Sequence, residues 1–199
     1  MTTDTAARSP LAALAFGPRR PLLTAAVFLV TLACGIAQLV HRPLYDAVVR
    51  DPTRIDNGQW YRLITGMFFQ DGWASGLVSN LILLAVVGTI AERVFGRRRW
   101  AILYFGCGWL GQLMSYLWLN PTGAGNSMCV AGLIGGLAIL ILMAPSRYGV
   151  TPPLQLRIAA YAVPVLAVVD TAISDNHGLP CLLGMLLGYF ILPRPDLKA

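Results

Sequence analysis

Charged side chains are scarce in this chain. Asp, Glu, Lys and Arg make up 12% of its 199 residues, whereas hydrophobic residues make up 56%. A soluble domain usually has about 25% charged residues. This shortage argues against a large soluble core, and with a mean hydropathy of +0.64 it predicts an integral membrane protein.

Histidine and cysteine are also rare. The chain has two histidines, His41 and His177, so base-assisted chemistry inside the membrane would have His177 as nearly its sole imidazole. The four cysteines fall in four different apolar segments, and none forms a Cys-x-x-Cys pair. Because this is not the spacing of a metal site, we predict neither a metal nor a cofactor.

Basic residues outnumber acidic ones, 15 to 9. An excess of this kind can indicate nucleic-acid binding, but no basic stripe interleaved with aromatic side chains is present. The basic residues lie at the ends of apolar segments, where they act as topology signals. We therefore expect a lipid bilayer as the surroundings and no nucleic-acid partner.

A window of about twenty residues predicts six membrane spans. They are 21–40, 76–96, 99–119, 125–144, 155–173 and 177–193. Arginines before the first span, after the second, after the fourth and after the sixth share one side, which the positive-inside rule makes cytoplasmic. The predicted fold is an all-α, six-helix membrane bundle with both termini cytoplasmic.

This topology divides the chain into a membrane domain and two tails. Residues 1–20 form a cytoplasmic segment, residues 21–193 the membrane domain and residues 194–199 a cytoplasmic tail. The first outer loop, about 41–74, is rich in aromatic residues, so we expect it to lie partly in the membrane interface. Short loops and the lack of a transit-peptide pattern favour a bacterial plasma membrane.

Ser127 and His177 are the first candidates for chemistry. A polar side chain inside a bilayer is costly and marks a candidate functional site, although a serine hydroxyl can also bond back to its own helix. The predicted topology puts Ser127 and His177 at the outer ends of spans four and six, in the same leaflet. An imidazole there could activate the hydroxyl as a nucleophile.

Other polar and small residues support this pair. Asn80 lies well inside span two, where a buried amide needs partners and could either donate to an oxyanion or tie two helices together. Gly132 in span four and Gly184 in span six each have a second glycine four residues later. Such spacing lets helix backbones approach closely in lipid.

Several motifs resemble those of the rhomboid intramembrane serine proteases, over roughly residues 58–190. In chain order they are Trp60-Tyr61-Arg62, then Gly88, Glu92 and Gly96 spaced by four, then Gly125-Asn126-Ser127 followed by Gly132, and finally His177 with Gly184.

The resemblance implies an intramembrane serine endopeptidase that cleaves membrane proteins with a transmembrane helix. Ser127 would be the nucleophile and His177 the general base and then acid. The support for the oxyanion would come from Asn80, Asn126 and Gly125. The structural motif residues would be Trp60, Arg62, Glu92, Gly132 and Gly184.

Three positions depart from the family pattern. Gly76 replaces a second-helix histidine that helps to stabilise the oxyanion, and Met128 and Pro180 replace glycines. These departures favour an alternative, a catalytically inactive rhomboid-like protein that binds the transmembrane helices of client proteins. A small transporter or channel is a third possibility, but no internal repeat is present and intramembrane charges are few.

Overall fold

The described part of the chain is helical. The computed structural model describes residues 19–193, and its ten α-helices are joined by turns, two π-helical turns and one isolated β-bridge. The α-helices are α1 (Leu22–Val40), α2 (Pro43–Val48), α3 (Pro52–Asp56), α4 (Arg62–Thr65), α5 (Trp73–Leu83), α6 (Thr89–Ala101), α7 (Cys107–Leu117), α8 (Ser127–Tyr148), α9 (Leu154–Ala172) and α10 (Gly178–Phe190). The all-helical fold expected from the sequence is confirmed for these residues. Of the two tails predicted, only Arg19 and Arg20 lie inside the described range.

Four helical segments are long and apolar enough to cross a membrane. They are α1, α8, α9 and the segment that runs from Trp73 to Leu117 through α5, α6 and α7. Helix α10 is apolar but shorter, at 13 residues.

The segment from Trp73 to Leu117 is interrupted at Gly96. There φ is 74° and ψ is 165°, outside the helical region. Glycine adopts such a positive φ without the penalty that a Cβ brings. The sequence placed the boundary between two spans at the arginines 97–99, but the break is at Gly96, and those arginines already belong to the helix that follows.

Helix α8 forms the centre of the bundle, and α10 packs directly against it. A Cβ on Gly184 of α10 would lie 2.1 Å from the Gly132 carbonyl oxygen of α8, and one on Gly188 would lie 2.9 Å from the Cα of Gly136. The backbones are therefore in contact at the spacing of four noted in the sequence, as expected for helices packed through small residues. Helix α9, by contrast, is mostly exposed and apolar.

The region between α1 and α5 is folded into three short helices, α2, α3 and α4. Arg62 is buried there, and its guanidinium donates to the carbonyls of Asp46 (3.0 Å) and Val49 (2.7 Å) and to Gln59 Oε1 (2.8 Å). Trp60 remains exposed and meets Tyr116 of α7 edge-on. Arg62 therefore holds α2 and α4 together from the inside.

Glu92 stabilises the opposite end of the bundle. Its carboxylate accepts hydrogen bonds from the backbone N–H groups of Leu23 (3.0 Å) and Thr24 (2.6 Å) in the first turn of α1. These N–H groups have no partner within their own helix, and the helix dipole favours a negative charge there. Arg97 lies 3.6 Å from the same carboxylate.

Candidate active site

Ser127 is the first residue of α8, and two glycines shape the chain that leads to it. Gly123 and Gly125 have φ values of 155° and 152°, which residues with a Cβ rarely adopt. The Gly125 N–H donates to the Gly66 carbonyl at 2.8 Å. The serine is thus held at a helix N-terminus, where the first N–H groups lack intrahelical partners.

Arg50 holds the segment before Ser127 in place. The Arg50 side chain is buried and donates to the carbonyls of Pro121 (3.0 Å) and Asn120 (2.8 Å) and to Gln112. Its backbone forms the isolated bridge with Gly123. Burial lowers the pKa of Arg50 to about 10, so the guanidinium is still charged at neutral pH.

His177 lies at the N-terminus of α10, and its ring reaches Ser127. The distance from His177 Nε2 to Ser127 Oγ is 2.8 Å. The structure therefore brings together the two residues that the sequence could place only in the same leaflet.

Asp175 completes a chain of three side chains and was missed in the sequence. One of its carboxylate oxygens lies 2.5 Å from His177 Nδ1 and accepts from the His177 backbone N–H at 2.9 Å. Partial burial alone would raise the pKa of Asp175, but the two contacts with His177 outweigh it and the pKa is lowered. The signal in the sequence was an acidic residue two positions before the proposed base.

Asn80 lies on α5 beside the pair, whereas Asn126 does not face it. Two cavities, of about 420 Å³ and about 170 Å³, are both lined by Asn80, Ser127 and His177. Asn126 is fully buried and lines neither of them. Of the two amides that the sequence offered, Asn80 is the one that shares its cavities with Ser127.

The two cavities differ in character. The larger is apolar, is walled by side chains of α5, α8, α9 and α10 such as Leu83, Ile134 and Val163, and includes the carboxylate-bearing Asp170 near the end of α9. The smaller is polar, and Arg50, Asp71 and Asn176 contribute to it. Ser127 therefore has an apolar groove on one side and a polar cavity on the other.

The remaining motif residues are structural in their contacts. Arg62 and Glu92 bond to backbone groups of the outer helices and of α1, and Trp60 lies at the surface. Gly132 and Gly184 meet where α8 and α10 touch. These motif residues hold the helices that carry Ser127 and His177, but they do not contact the pair.

Comparison with known proteins identifies the family. A family model described as the rhomboid domain matches residues 57–194. The chain is 31% identical over 93 residues to the rhomboid protease GluP of Bacillus subtilis (strain 168), a match that covers 47% of this chain and 18% of that relative. It is 26% identical over 150 residues to the putative rhomboid protease YdcA of the same organism, covering 74% of this chain and 72% of YdcA. Because the family model matches more than half of the chain, the chain belongs to the rhomboid family.

Proposed function

We propose that this chain is an intramembrane serine endopeptidase that cleaves membrane-anchored proteins with a transmembrane helix. The observation that carries the proposal is the 2.8 Å contact between Ser127 Oγ and His177 Nε2. A hydroxyl within hydrogen-bond reach of an imidazole, which is itself oriented by a third group, is the arrangement of an activated nucleophile.

The reaction follows from the positions of these groups. His177 Nε2 takes the proton of Ser127 as the oxygen attacks the scissile carbonyl, and later gives that proton to the leaving amine. Asp175 accepts from Nδ1–H, so it fixes the tautomer whose Nε2 is free to accept. Water that enters by the polar cavity then attacks the acyl-enzyme, with His177 again as base.

Two N–H donors are available to stabilise the negative charge that develops on the substrate oxygen. The Ser127 N–H is in the first turn of α8, where the positive end of the helix dipole also lies. Asn80 Nδ2 offers the second. Donors fixed in advance at the developing charge are usually the largest contribution to this kind of catalysis.

The apolar groove is the proposed entry for substrate. Its wall includes α9, whose outward side chains are apolar and exposed. A substrate helix in the bilayer could therefore reach Ser127 laterally and unwind where the polar cavity satisfies its backbone groups.

The proposal includes six spans and cytoplasmic termini. As one straight helix the 45 residues from Trp73 to Leu117 would measure about 67 Å, roughly twice the hydrocarbon thickness, so the break at Gly96 supports two spans. The Arg19 guanidinium donates to the Arg93 carbonyl at 3.4 Å, and Tyr148 OH donates to the Pro193 carbonyl at 2.7 Å. The first contact joins the start of α1 to the part of α6 that carries arginines, and the second joins the ends of α8 and α10. By the positive-inside rule, we assign these basic ends to the cytoplasmic side. A bacterial plasma membrane is the compartment proposed.

The alternative, an inactive protein that binds helices, draws on Gly76, which has no side-chain donor, and on the bulk of Met128 and Pro180. Both side chains pack against Gly111 of α7, where an added Cβ would lie 2.6 Å from Pro180 Cγ and 3.0 Å from Met128 Sδ. The Ser115 hydroxyl of α7 contacts the same sulfur at 3.7 Å. The Met128 sulfur and the Pro180 ring are thus directed at α7, although Met128 also lines the smaller cavity beside Ser127. Because that cavity stays open between Met128 and His177, the extra bulk does not close the site, which supports the protease.

A fluorophosphonate probe tests the proposal, because it reacts with an activated serine. The wild-type protein in detergent should be labelled, and Ser127→Ala and His177→Ala should not be. Ser146→Ala is the matched control, since this hydroxyl is exposed at the other end of α8 and bonds to the Met143 carbonyl. Labelled protein should also cut a single-span membrane protein after reconstitution in liposomes.

The outcomes separate the two functions. A folded wild type that is not labelled, under conditions that label another rhomboid protease, would falsify the protease assignment. Binding of a transmembrane helix that is unaffected by Ser127→Ala, without any cleavage, would then favour the inactive alternative.

A further inference from the structure

The position expected to hold a histidine has no room for a side chain. A Cβ on Gly76 would lie 1.8 Å from the carbonyl oxygen of Asp71. Contacts this short do not occur between non-bonded atoms, so the turn into α5 would have to move before any larger residue could stand there. Support for the oxyanion beyond the Ser127 N–H must therefore come from Asn80 and from whatever holds Asn80.

Gln70 holds Asn80. Asn80 Nδ2 donates to Gln70 Oε1 at 2.6 Å, and Gln70 is 1% exposed. A primary amide has two N–H donors, so one remains when Gln70 takes the other. Gln70 Oε1 (3.6 Å), Asn80 Nδ2 (3.7 Å) and Ser127 Oγ (3.4 Å) all surround the point that a Cβ on Gly125 would occupy. The contact between the two amides is therefore next to the nucleophile.

Gln70 is in turn fixed by the first helix. Gln38 of α1 donates from Nε2 to the Gln70 carbonyl at 2.6 Å and accepts from the Gln70 N–H at 3.0 Å. Both residues are buried, and a buried hydrogen-bonded network of this kind rigidifies the structure. The position of the Asn80 amide is thus set by α1 through Gln70.

A role in packing alone does not explain why residue 70 is a glutamine. Its Nε2 is buried and has no hydrogen-bond partner among residues 19–193. A buried donor without a partner is destabilising, and an apolar side chain of similar size would avoid that cost. What the glutamine provides in return is its side-chain oxygen, which accepts a hydrogen bond from Asn80 Nδ2.

On the basis of the proposed function, we propose that Gln70 is a positioning residue for the oxyanion. By binding one N–H of Asn80, it directs the other N–H toward the substrate oxygen and replaces part of the role of the histidine that Gly76 excludes. Asn80 is the catalytic residue of the two, and Gln70 acts through it.

A double-mutant cycle tests this inference by the rate of fluorophosphonate labelling of the full chain. Loss of one oxyanion donor typically costs about 100- to 1000-fold, so Asn80→Ala should slow labelling by at least about 100-fold. Gln70→Met keeps the size of the side chain but removes the acceptor, and should slow labelling about tenfold, the factor that corresponds to the loss of one hydrogen bond. The double variant should be no slower than Asn80→Ala, because Gln70 has no other route to the reaction.

Two controls separate positioning from folding. Gln59→Met makes the same substitution in the outer loop, where Gln59 accepts from Arg62 Nε, and should label at the wild-type rate. Gln70→Asn keeps an amide in the buried site and serves if the Met variant does not fold. Its oxygen falls about 1.5 Å short of Asn80, so it should be slowed in the same way.

Three results would overturn the inference. One is a folded Gln70 variant that labels within twofold of wild type. Another is a double variant that is slower than Asn80→Ala by the same factor by which Gln70→Met is slower than wild type. Gln70 would then act independently of Asn80. In both cases the wild type is labelled and the proposed function stands. A folded wild type that is not labelled removes the proposed function and this inference together.

Discussion

Replacing Asp175 tests whether the third side chain at the site contributes to the reaction. Its carboxylate lies 2.5 Å from His177 Nδ1, but the two side chains are 42% and 43% exposed. A pair of charges 4 Å apart is worth about 1 kcal/mol in water and about 4 kcal/mol at an effective dielectric constant of 20, and exposed pairs are at the low end. For the imidazolium formed in the transition state we expect about 1–2 kcal/mol, so Asp175→Ala should lower kcat about 5- to 30-fold.

Asp175→Asn should be slower than Asp175→Ala. The amide can donate to His177 Nδ1, which favours the tautomer with its proton on Nε2, and that nitrogen then cannot accept from Ser127. In a buried triad this change lowers kcat about 10⁴-fold. Because the Asp175–His177 pair is partly exposed, we expect a smaller loss here.

The contribution of the Asp175 carboxylate to stability changes with pH in one direction. Because the pKa of Asp175 is lowered by its contacts with His177, the carboxylate stays ionised below the ordinary range of an aspartate. Its contribution to the free energy of unfolding is therefore complete at neutral pH and is lost as the pH falls through that lowered pKa. The difference in Tm between wild type and Asp175→Ala should therefore shrink only in acid.

Initial rates of labelling and of cleavage of a single-span substrate measure how much Asp175→Ala and Asp175→Asn slow the reaction. Asp46→Asn is the control, because it removes an exposed carboxylate from the outer loop and should leave both rates unchanged. If Asp175→Ala and Asp175→Asn both stay within twofold of wild type, the carboxylate has no role in orienting His177 and the reasoning is wrong.

Three further predictions concern stability, measured by thermal unfolding in detergent. Glu92→Ala should cost about 1–3 kcal/mol, because two N–H groups of α1 lose their acceptor; an unchanged Tm would contradict the capping role. Gly184→Ala should cost about 1–3 kcal/mol through overpacking against Gly132, whereas Gly106→Ala, whose Cβ meets nothing within 4 Å, should be tolerated. Equal Tm values for those two would show that α8 and α10 are not in close contact. Arg62→Lys should also lower the Tm, because an ammonium cannot reproduce the fork that binds several acceptors at once, and wild-type stability would refute that assignment.

Hydropathy could predict the helices, but not where each of them ends. The membrane segments follow from long apolar runs, whose length is set by the bilayer. The break at Gly96 depends on one positive φ, which no window average detects. The short helices of the outer loop have a local signal, because α2 and α3 begin at Pro43 and Pro52 and proline is favoured in the first turn.

The site could be predicted only in part for a similar reason. Ser127 and His177 stand out because hydroxyl and imidazole groups are rare in apolar segments, and the predicted topology puts them in one leaflet. Their contact depends on the glycine interface of α8 and α10, which sequence spacing suggests but cannot measure. Gln70 and Asn80 meet across a turn, and Gln38 comes from a different helix altogether, so no periodic pattern connects them.

Several costly features of this molecule lie around Ser127. Gly125 has a φ that other residues avoid, Arg50 is buried with a lowered pKa, and Gln70 has a buried donor without a partner in the described chain. A surface that only binds apolar helices needs none of these, because lipid-facing side chains suffice for packing. Local departures from the rules of stability are expected where a structure is constrained by function. Because each of them here orients the backbone, the nucleophile or the amide beside it, together they favour catalysis over passive binding.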